Sequence, residues 1–390
     1  MSELNSWSNL QKWVFRFLTI YVFIYIFPIP IEGLVNNFGA LFVEDPDVIK
    51  NVVENNFYLI FHTATIILLS LVLSLIWTAV DRNRRNYSTL LYWVILLLRA
   101  FLFITMLVYG FAKIFLIQFS FPPLHHLLQP LGEFTPMRLA WSFFGYSDGY
   151  QFFTGLLEVI GGFFLLFRRT TTLGALIIFG VMANVAFMNF AYNIPVKSLS
   201  AHLALFAFIL ITFDFKRLLN FYFMNRHVPP LHTDVPVTNK WYRKITGFSS
   251  KAMAVGVILL VITSPFLRNQ FTFLELEKPK LYGIYQTEYM ERNGEEFIPS
   301  DFGEYWNYFV VDYKNNLSIM YLDGRAEDYT LSSDSSASAL ILKSAKSDEE
   351  LTFNYKIENN QLFLNNSNGG DSLFISLNKV NIKERFNLTP

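Results

Sequence analysis

Through the first 270 residues the apolar positions come in unbroken blocks about twenty long, and after that they alternate with polar ones. A block of that length matches the ~20 residues an α-helix needs to cross a ~30 Å hydrocarbon core. Seven membrane helices are predicted, at roughly 13–34, 57–80, 89–117, 152–167, 172–191, 199–214 and 252–268. The fourth and sixth are short for a full crossing. Between the third and fourth lies a long segment, 118–151, rich in Pro, Gly and aromatics. Pro122–Pro123, Pro130–Gly132 and Gly145–Tyr146 mark turns in it. Its stretch 136–144 reads as an interfacial helix with Trp141, Phe143 and Phe144 at headgroup level. A loop this long is more often functional than idle.

Beyond residue 270 the period falls to two. "YFVVDYKNNLSIMYLDG" reads as strand, turn, strand and an Asp323–Gly324 turn, and "ELTFNYKIENNQLFL" repeats the form around Asn359–Asn360. Further strands are expected at 281–289, 338–344 and 371–377. Six to eight short antiparallel strands in this length make a small barrel or a sandwich. No grouping of nucleophile, base or metal ligands stands out in this part. "KLYGIYQ" and the hairpins after it resemble the lipocalin-like meander, a likeness confined to this domain.

Composition agrees with a membrane chain. Of 390 residues 53% are hydrophobic and 16% charged, against ~25% charged in soluble domains. The formal net charge of zero hides two opposite halves. Residues 1–270 hold 20 basic and 12 acidic side chains, a net of +8; residues 271–390 hold 11 and 19, a net of −8. The absence of cysteine excludes disulfides, thiolate metal sites and thiol redox chemistry. The first apolar run follows Lys12 and Arg16 without a small-residue cleavage site, so it reads as a retained span rather than a signal peptide.

Basic residues set the expected orientation. Lys12, Arg16, Arg82, Arg84, Arg85, Arg168, Arg169 and the Lys/Arg-rich connector 216–251 fall on one side of the seven spans; only Lys50, Arg138 and Lys197 fall in loops on the other. The positive-inside rule puts the first set in the cytoplasm, so the N-terminus is cytoplasmic and the C-terminal domain periplasmic, outside the inner membrane.

One carboxylate stands out. Glu158 sits in "GLLEVIGGFFLLF" (155–167), and a lone charge in hydrocarbon is costly unless paired or neutralised. Gly155, Gly161 and Gly162 lie three or four residues from it, on its own face, so Glu158 is expected to point at a close neighbouring helix. The other polar groups inside spans are His62, Arg99, Lys113, Asn184, Asn189 and His202. Topology puts His62, Lys113, Glu158, Asn189 and His202 in the outer third of the bilayer. Arg99, fourteen residues before Lys113, lies ~21 Å deeper. Lys113 is therefore the natural partner of Glu158.

Two readings of that pair stand side by side. In one it is structural and fixes the register of two helices. In the other Glu158, Lys113, His202 and His62 form a catalytic, proton-exchanging pocket for a membrane-soluble substrate, with Arg99, Asn184 and Asn189 helping to bind it. A metal site at His125, His126 and Glu133 is a weaker alternative, because adjacent histidines point apart; no metal is expected.

"RAFLFITMLVYGFAKI" (99–114) followed by "GLLEVIGGFFLLFRRTT" (155–171) resembles the DoxX-like family of integral membrane proteins. The family pattern of an Arg, a Gly–x–x–Lys and a later Glu followed by glycines falls here on Arg99, Gly110, Lys113, Glu158, Gly161 and Gly162. The likeness covers about 90–215. "NFAYNIPVKSLSAHL" departs from the subgroup it most resembles, which has Asp where this chain has Asn193. The resemblance implies a multi-pass inner-membrane bundle and, in one branch, kinship with the small subunit of a thiosulfate:quinone oxidoreductase.

The expected fold is an all-α polytopic membrane helix bundle followed by an antiparallel β barrel or sandwich. It divides as N-terminal helices 1–88, a four-helix unit 89–218, a cytoplasmic basic connector 219–251, a last helix 252–270 and an extracytoplasmic β domain 271–390. The expected role is quinone- or lipid-linked redox work in the envelope, as a possible accessory subunit of a quinone-linked oxidoreductase. With no flavin, haem or iron–sulfur motif in the sequence, electrons would come from a partner or the quinone. The alternative is a non-enzymatic anchor that presents the β domain to an envelope protein or ligand. The bilayer is the expected partner throughout, and nothing points to nucleic acid.

Overall fold

The computed structural model describes residues 7–27, 56–119, 121–228, 256, 278–297, 304–334, 339–344, 350–366 and 372–386. They fall into two compact units. One holds 1–115 and 152–266; the other holds 116–151 and 267–390. The long segment between the third and fourth predicted spans thus folds with the β domain, not with the helices that flank it.

The helical unit contains α1 (Asn9–Ile26), α2 (Asn56–Val80) and α3 (Ser88–Ile114), then α5 (Asp148–Leu166), α6 (Thr171–Ala191) and α7 (Lys197–Thr212); α4 belongs to the second unit and is described below. Ser8 starts α1 with a capping box, its hydroxyl taking the Gln11 amide while the Gln11 side chain takes the Ser8 amide. Phe15 and Val22 of α1, Leu98, Leu102 and Met106 of α3, Ile178 and Met182 of α6, and Phe206 and Leu210 of α7 share one core. The opposite side of α2, with Leu68, Val72, Leu75 and Ile76, is exposed apolar surface, as a lipid-facing helix requires.

Among the described residues four helices are long and apolar enough to cross a membrane: 61–80 of α2, and all of α3, α5 and α6. A fifth is reached if α7 and the bent continuation Phe215–Phe223 count as one span. The expected seven is not supported. α1 is cut short at Ile26 and carries Lys12 and Arg16 within its 18 residues. α7 ends at Thr212, where the chain bends by 70°; sixteen residues reach only ~24 Å. The predicted last span, 252–268, lies outside the described residues apart from Gly256.

In the second unit, strands β1 (Gly283–Arg292), β3 (Trp306–Val311), β4 (Asn316–Tyr321), β5 (Ala326–Asp334), β6 (Ala339–Ser344), β7 (Glu350–Glu358), β8 (Gln361–Asn366) and β9 (Leu373–Lys379) run as an antiparallel meander. β9 returns to β1, with Met290 opposite Ile375, and closes an eight-stranded barrel. The two-residue β2 (Glu295–Glu296) only extends the end of β1. Closure removes the sheet edges, which decides between the two architectures the alternation allowed. The β7–β8 hairpin turns on Asn359 (φ 45°) and Asn360 (φ 73°), left-handed values that asparagine tolerates and a two-residue hairpin needs. Trp306, Phe309, Leu317, Ile319, Leu340, Phe353, Leu364 and Ile375 fill the interior.

The segment 116–151 is bound onto this barrel. Leu124 packs with Ile284, Val310 and Met320 on the barrel's outside, and its amide donates to the Asp312 carboxylate at 2.8 Å. Buried Gln151 ties the segment's end to its start: the Phe119 amide donates to Gln151 Oε1 at 3.2 Å and Gln151 Nε2 donates back at 3.1 Å. A helix forms over the expected stretch as α4 (Pro136–Tyr146), capped by Thr135 with Pro136 in its first turn. A four-residue helix, α8 (Phe215–Leu218), follows α7, and another, α9 (Ile382–Arg385), follows the barrel.

Candidate functional site

Glycine lets α3 and α5 touch backbone to backbone. A Cβ on Gly155 would stand 2.6 Å from the carbonyl oxygen of Gly110, and one on Gly110 would stand 2.9 Å from that of Gly155. Gly162 faces α3 at Met106, while Gly161 meets Gly174 and Ile178 of α6. The glycines around Glu158 thus serve two neighbours, and the carboxylate is held between them. This is the small-residue packing that close membrane helices use.

At that contact the Lys113 ammonium donates to both Glu158 oxygens, at 2.9 and 3.0 Å. Glu158 is 1% exposed and Lys113 6%. Two hydrogen bonds and mutual neutralisation offset the desolvation of both charges, which is the condition for burying such a pair. Lys113 Nζ also lies 5.8 Å over the ring of Tyr109, one turn back on α3.

A second polar group forms around His202 of α7. Its Nδ1 is 2.7 Å from the Ser198 carbonyl oxygen, and its Nε2 is 2.6 Å from the Tyr21 hydroxyl. A carbonyl only accepts, so Nδ1 carries the proton and neutral Nε2 accepts from Tyr21. Tyr25, one turn on along α1, stacks on the imidazole at 3.9 Å and 14°, and its hydroxyl hydrogen-bonds Ser198. His62 of α2 is within electrostatic reach of His202, and Tyr109 within reach of Tyr25.

The remaining candidates separate. Arg99 donates from Nε and from a terminal nitrogen to the Leu165 carbonyl (2.8 and 2.6 Å) and on to Leu166 (2.8 Å). It caps the last turn of α5, whose carbonyls have no helical partners and carry partial negative charge. Buried Asn189 donates to Ser200 at 2.9 Å and so ties α6 to α7. Asn184 is exposed on the outer side of α6, away from the buried polar groups. Asn193, where the resembled subgroup has Asp, accepts a hydrogen bond from Lys197; the amide oxygen suffices for that. Among the described residues no three His, Asp or Glu side chains converge as metal ligands. His125 and His126 stack on each other, with ring centres 4.1 Å apart.

The sequence reading missed Tyr21, Tyr25 and Tyr109. Their signal was faint: two tyrosines four apart on α1 share a face, but phenols in an aromatic-rich span look like packing. Another group gathers at the opposite end of α1. Arg16 donates to the Tyr87 hydroxyl, the Thr78 hydroxyl and the Asp81 carbonyl (2.8, 2.9 and 2.7 Å). It fastens α1 to the turn between α2 and α3.

In the second unit His126 lines a cleft of about 730 Å³ between α4 and α9. Burial, then the neighbouring His125 and Arg138, pushes its pKa down to about 4 against the opposing pull of Asp328. The sign of the stability effect follows. The unfolded imidazole takes a proton near pH 6.5 while the folded one resists until about 4, so stability is lost as pH falls through that interval. His125 shifts in the same direction. Thermal melts of the full chain in detergent between pH 7 and 4.5 should show a falling midpoint whose slope shrinks in His126→Phe. An unchanged slope would mean that His126 is charged in the folded protein.

No family model matches the sequence, and no solved structure matches it. Among curated proteins, the "uncharacterized protein YwoB" of Bacillus subtilis (strain 168) is 32% identical over 133 residues, a match that takes in 32% of this chain and 79% of YwoB. That level of identity over most of YwoB's length places the two together, and the chain belongs to the YwoB family.

Proposed function

We propose that this is a DoxX-like inner-membrane protein that handles protons for a quinone- or lipid-linked redox reaction near the outer face of the bilayer. The observation that carries it is the polar line inside the helical unit. Glu158 pairs with Lys113, Lys113 lies over the ring of Tyr109, and on α1 and α7 Tyr25 stacks on His202. Four helices contribute to these groups, α1, α3, α5 and α7.

A quinone supplies two-electron redox chemistry when bound, and each electron is matched by a proton. Lys113 is suited to attract an oxygen that gains negative charge. Glu158 is suited to hold or release the proton, because its charge is balanced only by Lys113. His202 accepts at Nε2 from Tyr21 and donates at Nδ1 to Ser198, so proton exchange at Nε2 needs no ring movement.

The orientation rests on the basic residues. Segment 116–151 and the barrel fold together, so they share one side of the membrane. The chain from 152 to 266 then crosses an even number of times. α5, α6, α7 with its continuation, and the span expected at 252–268 would make four, a count that fits either side of the membrane; the choice of the periplasmic side comes from the basic residues.

The test is direct. Protein purified in mild detergent should carry a quinone detectable by mass spectrometry, and Glu158→Gln, nearly isosteric, should lower quinone-linked turnover at least tenfold. Full turnover in Glu158→Gln, with no quinone in the wild type, would sink the proposal.

A further inference from the structure

The cleft beside α4 lies wholly within the second unit and plays no part in the proton line. Leu127, Leu131, Phe134, Phe143, Tyr150 and Phe386 supply most of its wall. Several of these are also open to the outside: Leu131, Phe143 and Tyr150 are exposed large apolar side chains. A concave apolar volume of about 730 Å³ is in the range of sites that enclose most of a small ligand. Apolar surface of this kind is retained where it is used.

Charge at the cleft is one-sided. Arg385 of α9 lines it, and two hydrogen bonds fix its guanidinium in place, to Gln286 Oε1 at 2.9 Å and to the Tyr308 hydroxyl at 2.6 Å. Both partners are neutral. Among the described residues no carboxylate forms a salt bridge with Arg385, so its charge is open to an anion. His126 on the wall stays neutral above about pH 4. The cleft therefore offers apolar walls and a single positioned cation.

Chain connectivity says where such a ligand would come from. α4 ends at Tyr146 and α5, a membrane-crossing helix by length and composition, starts at Asp148. Only Ser147 separates them. If α5 crosses a bilayer, the end of α4 is tied by one residue to the start of that crossing, where headgroups would lie.

We infer that this cleft binds one anionic phospholipid, an acyl chain lying against Phe134, Phe143 and Phe386 and the phosphate on Arg385. A zwitterionic lipid offers the same tail but sets an ammonium beside the guanidinium. Free phosphate offers the charge without the apolar contact. The site is thus selective for the combination.

The experiment uses the full chain, delipidated in mild detergent and then exposed to mixed micelles holding equal phosphatidylglycerol and phosphatidylcholine. Retained lipid is counted by mass spectrometry. The wild type should keep about one phosphatidylglycerol per chain and favour it several-fold over phosphatidylcholine. Ser142 lines the cleft, so Ser142→Trp should abolish that retention while Ser142→Ala keeps it. Arg385→Gln should keep lipid but bring the ratio towards one. Lipid around the membrane helices is common to all four proteins and cancels. Equal retention by wild type and a folded Ser142→Trp would overturn the inference, as would no preference for the anionic lipid. Displacement by millimolar inorganic phosphate would overturn it too, since it would mean that the anion alone is bound. These variants leave Lys113 and Glu158 untouched, so the outcome is separate from that of the proton line.

Discussion

Lys113→Met is expected to destabilise the helical unit by about 3–5 kcal/mol, the usual cost of leaving one member of a buried ion pair without the other. Glu158 would then be 1% exposed with the countercharge it pairs with gone, and no backbone amide in an intact helix is free to replace it. Lys113→Met combined with Glu158→Met should recover most of the loss, because two apolar side chains of similar length suit this interior. Unfolding in mixed detergent micelles, followed by circular dichroism, provides the comparison. Equal losses in the single and double variants would mean that the two charges are not coupled. The double variant also separates the two roles of the pair. A structural pair replaced in this way leaves activity intact; a proton-handling pair does not.

The second large effect concerns the contact that brings the pair together. Gly155→Ala places a methyl 2.6 Å from the Gly110 oxygen and 2.8 Å from Lys113 Cβ. Both obstacles belong to the backbone or its first carbon, so neither can swing away. α3 and α5 must part, at an expected cost of about 1–3 kcal/mol, rising for Gly155→Leu. Their separation also lengthens the Lys113–Glu158 bonds. Gly149→Ala, two turns earlier on α5, meets nothing within 4 Å and should change stability by less than about 0.5 kcal/mol. If the two alanine variants melt together, the close approach of α3 and α5 is not what holds this region.

Much of the site was legible in the chain because helix geometry is local. The fourteen residues from Arg99 to Lys113 fix their separation along α3, and the glycines around Glu158 mark the face that meets a neighbour. Lys113 opposite Glu158 follows from those two facts and the order of the spans. What Arg99 does was not legible, since its acceptors are main-chain oxygens of Leu165 and Leu166, and any helix end would serve. Asn184 was expected inside with Asn189. They are five residues apart, about 500° around the helix, so they cannot share a face; which one turned inward depended on where α7 packed.

The span count shows the same division. Hydropathy measures the cost of placing a residue in lipid, and it located α2, α3, α5 and α6 closely. It could not foresee how α1 carries Arg16, which is accommodated by Tyr87, Thr78 and Asp81, three groups brought together by the turn between α2 and α3.

By itself, then, the sequence determined the two-part division, the helical and strand periods, the buried Lys113–Glu158 pair and the turns at Asn359–Asn360, all of which depend on residues near one another or on one-dimensional spacing. The tertiary structure alone decided that the meander closes into a barrel, that segment 116–151 folds onto it, and that Tyr21 and Tyr25 gather on His202 while Tyr109 lies under Lys113. Each of these needs contacts between residues far apart in the chain, and their free energy comes from burial and hydrogen bonding that no local pattern records.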